Sequence, residues 1–95
     1  MHDNLLVQAI SVLQERTTNI RCSELVAMLE SLGFTVRKGA NGGHRVFIHN
    51  RLDGFYSSSF DGGHGRDDIV KPVYVRIVRR ILLEHESDLR ALLEE

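Results

Sequence analysis

Histidines and cations crowd one stretch of this 95-residue chain, Gly39-Ala40-Asn41-Gly42-Gly43-His44-Arg45-Val46-Phe47-Ile48-His49. An imidazole has an ordinary pKa of about 6.5, so it takes up and returns a proton near neutral pH. Three of the five residues before His44 are glycine. Such a turn adopts left-handed dihedrals and lets another backbone come close. The residues after it alternate, with Val46 and Ile48 on one face and Arg45 and Phe47 on the other. His44 thus stands where a glycine turn meets a strand, positioned by the strand and reachable from solvent. Arg37, Lys38 and Arg45 flank that turn, and Arg76, Arg79 and Arg80 follow later in the chain. A second candidate, His64, lies in the glycine-rich run Asp61-Gly62-Gly63-His64-Gly65 and is a helper only if the fold brings it beside His44.

Other chemistries fit these residues less well. His44, His49, His64 and Asp61 could ligate a metal, but no close histidine pair of the kind a helix presents occurs. The single cysteine excludes a closed thiolate site, so no metal or other cofactor is expected. Ser57-Ser58-Ser59 lacks the pattern of a nucleophile elbow. Gly62-Gly63-His64-Gly65 is followed by no Gly-Lys-Ser/Thr and is not a phosphate-binding P-loop.

The elements that must hold His44 are legible from periodicity and punctuation. Residues 3–15 predict a helix, capped by Asp3 or Asn4, with Leu6, Ala9, Ile10 and Leu13 on one stripe. A second helix is expected over about 23–32. Ser23 would be its cap, Glu24 would lie in its first turn, Leu25, Met28, Leu29 and Leu32 would be buried, and Gly33 would end it. Residues 34–37 and 44–49 read as two strands of a hairpin, and a third strand is expected over about 55–60 after the Asp53-Gly54 turn. Pro72 opens a last helix that buries Tyr74, Ile77, Val78 and Ile81. Leu82, Leu89, Leu92 and Leu93 either continue it or follow a break near Glu86-Ser87-Asp88. Helices gathered on one face of a three-stranded antiparallel sheet make a two-layer α+β domain.

Length and composition point to one domain with a single core. No apolar run approaches the roughly 18 residues that span a bilayer, and Met1-His2-Asp3-Asn4 lacks the basic start of a signal peptide. One cysteine, Cys22, makes no internal disulfide and reads as a packing residue, so a reducing, cytoplasmic setting without membrane contact is expected. The formal net charge of −1 is unevenly spread. It is −2 over residues 1–36, +5 over 37–80 and −4 over 81–95. The basic middle favours a negatively charged partner. The acidic end is expected to pair with it or fold across it.

The order Leu32-Gly33-Phe34, a strand, a glycine turn into Gly43-His44, then Phe47 and His49, resembles the toxins of HicA type. His64-Gly65 and the Lys71-Pro72 helix rich in Ile, Val and Arg match as well. The likeness covers about residues 21–85. That family comprises small toxins of bacterial toxin–antitoxin pairs that cleave messenger RNA. The resemblance implies a fold like the double-stranded-RNA-binding domain, α-β-β-β-α. Here residues 1–20 would add an N-terminal helix suited to a homodimer, and the last helix would be extended by an acidic tail at 86–95.

The resemblance also implies His44 as the general base of a metal-free endoribonuclease, with His64 as a helper acid. Arg37, Lys38, Arg45, Arg76, Arg79 and Arg80 would contact RNA. His49 would be structural or a further RNA contact, and a HicB-type antitoxin would be the protein partner. Two features depart from the family. Serine usually stands where this chain has Gly43, and the family is usually basic. A non-catalytic RNA-binding or protein-interaction module of the same fold is the alternative expectation.

Overall fold

A computed structural model describes residues 3–39, 43–63 and 68–94, the side chains of Asp3 and Asn4 excepted. The expected Asp3 or Asn4 cap, the turn residues 40–42 and the loop residues 64–67 with His64 lie outside the described residues. The elements run α1 (Asp3–Glu15), α2 (Cys22–Ser31), β1 (Thr35–Lys38), β2 (His44–Ile48), β3 (Ser58–Asp61), α3 (Pro72–Glu84) and α4 (Glu86–Leu93). The strands form one antiparallel sheet in the order β1-β2-β3. Among the described residues the molecule is an α+β domain of four helices and a three-stranded sheet.

The stripe Leu6, Ala9, Ile10 and Leu13 buries α1 in the core, as its spacing predicts. The chain then turns through Asn19, whose φ of +60° is a conformation asparagine tolerates. The second helix starts one residue earlier than expected, with Arg21 rather than Ser23 at the cap position. Glu24 explains the shift, because its carboxylate accepts the Arg21 backbone N–H at 3.2 Å. The same carboxylate takes both terminal nitrogens of Arg16, at 3.1 and 3.3 Å, which ties the end of α1 to the start of α2. The Arg16 guanidinium holds the Glu24 carboxyl below its usual range. Gly33, at φ +95°, ends α2 as expected.

Residues 20–22 also pair with residues 68–70. Cys22 donates its N–H to the Asp68 carbonyl, and Val70 donates to that of Ile20, both at 2.8 Å. This clip fixes the approach to α3 beside the N-terminus of α2.

Three expectations need correction. The third strand is Ser58–Asp61, later than the expected 55–60. Its pairing with β2 stops at Phe47–Ser58, and Phe55 turns inward to an aromatic cluster. In α3 the buried stripe is Val75, Val78, Ile81 and Leu82, while Tyr74 and Ile77 are half-buried at its border. The last helix is not extended as the resemblance implies: it breaks at His85, just ahead of the alternative break near 86–88, and α4 follows with Leu89 fully buried.

One core spans the whole chain. Phe47 and Phe60 from the sheet meet Leu6 and Leu13 from α1, Leu25 and Leu29 from α2, Val75 and Val78 from α3, and Leu89 from α4. Residues 3–20 and 86–94 therefore complete the core rather than extend it. The apolar stripe of α1 is spent within its own chain, leaving Leu5 and Val7 exposed.

Candidate active site

The alternation along β2 divides the sheet into two unlike faces. Phe47 is fully buried among Phe34, Phe55 and Phe60 on the side of the helices. Arg45 leaves β2 on that same side and lines a shallow concavity with Cys22, Ser23, Val26, Ala27 and Glu30. His44, Val46 and Ile48 leave on the other side, and neither Val46 nor Ile48 joins the core. Cross-strand partners share a face, so the register fixes what stands beside His44. Asp61 lies directly across from it on β3, and Gly39 holds the matching position beyond β1, donating its N–H to the His44 carbonyl at 2.8 Å. The next row is Arg37, Val46 and Ser59, and the row after it is Thr35 with Ile48.

Glycines seat the site. The His44 ring lies against Gly39 so closely that a Cβ there would stand 2.6 Å from its Cδ2. Gly43 accepts a hydrogen bond from the Gly62 N–H at 2.6 Å, which closes the end of the β2–β3 ladder. A side chain at Gly43 would collide with the Gly63 carbonyl and come within 2.7 Å of Asp61 Oδ1. Asp61 Oδ1 accepts the Gly63 N–H at 2.9 Å. That bond holds the Asp61 carboxylate against the Gly62-Gly63 backbone, at the cross-strand position to His44. A Cβ at Gly62 would meet the sulfur of Cys22, a buried free thiol that packs this corner onto α2.

The expected cations fall into three places. Arg37 shares the face of His44, one row along the sheet. Lys38 and Arg45 are cross-strand partners on the helix side, and Arg45 Nη1 reaches back to the His44 carbonyl at 3.3 Å. Arg76, Arg79 and Arg80 line a separate concavity on α3 with Val73, Ile77 and Leu83. The structure thus brings Arg37 alone of the six onto the face of His44. Sequence reasoning passed over Asp61 as a partner of this histidine. The signal available was its place at the end of β3 before Gly62-Gly63, the position where an antiparallel meander returns to the start of β2.

His49 stands at the opposite end of β2, about 16 Å from His44 at the usual rise of an extended strand. Its Nδ1 accepts the Arg51 N–H at 3.2 Å, and its ring packs edge-on against Phe34 at 4.9 Å. Burial lowers its pKa below the ordinary 6.5, against an opposing hydrogen bond to the Leu32 backbone, and nearby Arg51 lowers it further. Among the described residues no three His, Cys, Asp or Glu side chains converge to hold a metal ion, and no helix is long and apolar enough to cross a membrane. The chain matches no protein-family model, no curated protein and no solved structure.

Proposed function

We propose that this chain is a metal-independent endoribonuclease toxin of HicA type, with His44 as general base and a HicB-type antitoxin as its restraining partner. One observation carries the reading. His44 stands on the face of the sheet opposite the buried core, seated on Gly39, with Asp61 across from it on β3 and Arg37 one row away. The element order α2-β1-β2-β3-α3 supports the double-stranded-RNA-binding-domain fold that the resemblance implies. That fold meets RNA through its shape and backbone phosphates.

The chemistry follows from these positions. The His44 imidazole removes the proton from a ribose 2′-hydroxyl, and the freed oxygen attacks the adjacent phosphorus. The bond from phosphorus to the 5′-oxygen breaks, and that oxygen leaves with a proton from water. The products are a 2′,3′-cyclic phosphate and a 5′-hydroxyl. Arg37 stabilises the charge that builds on the phosphoryl oxygens, and Asp61 steadies the imidazolium formed during attack. Asp61 is a positioning residue in this scheme. Asp61→Asn lowers kcat on the order of tenfold, the equivalent of about 1.4 kcal/mol, with KM unchanged.

The test in cells is inducible expression of the chain and of its His44→Ala variant, following growth and messenger RNA integrity together. Arrest and RNA loss with the unaltered chain only are the expected result. A folded His44→Ala chain that still arrests growth and degrades RNA removes His44 from the role. A folded, soluble wild type with no effect favours a non-catalytic module.

A further inference from the structure

The outward side of α3 carries a second apolar seam. Its inward seam, Val75, Val78, Ile81 and Leu82, is buried. On the other side Val73 and Leu83 are 47% and 42% exposed and Ile77 is half-buried. These three line one shallow concavity with Arg76, Arg79 and Arg80. Positions 73, 76, 77, 80 and 83 follow a single line along the helix by their three- and four-residue spacing. A surface helix ordinarily keeps that side polar. Here aliphatic side chains alternate with guanidinium groups. Arg80 approaches Glu84 at 3.8 Å, whereas Arg76 and Arg79 pair with no charged group among the described residues.

We infer that this face of α3 docks an acidic amphipathic helix of a partner protein. The aliphatic seam calls for an apolar stripe opposite it, which a phosphate backbone does not offer. The flanking arginines call for carboxylates, which their planar forks bind in pairs. A second copy of this chain, docked by the same face about a two-fold axis, would set Arg76, Arg79 and Arg80 against their own equivalents. An amphipathic helix with leucines at helical spacing and glutamates on both flanks meets both demands. The surface lies on the helix layer, whereas His44 projects from the far side of the sheet. Docking there leaves the histidine uncovered, so the surface is a second one, independent of the ribonuclease reading.

The test uses the full isotopically labelled chain and a synthetic helical peptide of about five turns, made of leucine, alanine and glutamate in that pattern. Its lysine-for-glutamate counterpart, a duplex RNA and vesicles of phosphatidylglycerol in phosphatidylcholine are titrated in parallel. The acidic peptide is expected to bind and to shift amide resonances of residues 73–84. Binding weakens roughly tenfold or more in Arg76→Glu/Arg79→Glu and, separately, in Val73→Ser/Leu83→Ser. If either variant unfolds, the resonance map on the unaltered chain decides. The proposal is overturned by any of four results: no binding of the acidic peptide, equal binding of the lysine peptide, RNA or vesicles shifting these residues while the peptide does not, or self-association through this face.

Discussion

Gly43 shows how far a single atom decides this site. The resembled family usually carries serine at that position. Here Gly43 lies against the Gly63 carbonyl and the Asp61 carboxylate with no room for a Cβ. Gly43→Ser is therefore expected to destabilise the chain by about 1–3 kcal/mol, the usual cost of overpacking a closed site, read from denaturant unfolding. Unchanged stability would mean that the end of β2 yields easily.

His49 makes a second sharp case. Its Nδ1 already accepts a backbone N–H and its ring is partly buried, so the folded state disfavours the protonated form. The unfolded chain binds the proton more readily, so stability falls as the pH drops below about 6.5. His49→Gln flattens that slope, and a variant with the full acid dependence would remove the role from His49. Sequence alone sets His44 apart as the candidate base and leaves His49 as either structural or an RNA contact. What bears on His49 is where its ring nitrogen ends up, which no spacing reveals.

Helix α4 is the element that changes meaning most. The acidic run at the end of the chain reads as a tail laid over the basic middle. The structure instead packs α4 against α1 and α3, with Leu89 fully buried and Leu92 and Leu93 against the core. Leu89→Ala is expected to cost about 2–5 kcal/mol, measured by thermal or denaturant unfolding. A loss below about 1 kcal/mol would mark α4 as dispensable. Truncation at residue 86 would thus test folding rather than electrostatic masking. The periodicity of α1 and the glycine stop of α2 were legible because each depends on local spacing and dihedrals. The true extent of β3 was not, because it depends on where pairing with β2 ends and on Phe55 turning into the aromatic cluster. In α3 the expected Val78 and Ile81 are buried, but Val75 and Leu82 take the places expected of Tyr74 and Ile77, because neighbouring positions are all apolar and only packing chooses among them.

Charge and shape together divide the domain into two unlike surfaces. Helices and core occupy one layer. The sheet's outer face is left with His44, Asp61, Arg37 and the half-exposed Val46 and Ile48. The six expected cations do not gather around His44. They are split between that face (Arg37), the helix side of the sheet (Lys38, Arg45) and the outer seam of α3 (Arg76, Arg79, Arg80). A net count over a segment could not show that division. The proposed activity rests on the outer sheet face alone. The most direct test incubates the purified chain and its His44→Ala variant with a single-stranded RNA in chelator, beside the same RNA carrying 2′-deoxyribose at each cleaved position. The account expects cleavage by the unaltered chain to a 2′,3′-cyclic phosphate, a loss of about 10²–10⁴-fold in His44→Ala, and none at deoxy positions. Equal cleavage by the two proteins, or cleavage at deoxy positions, would contradict it.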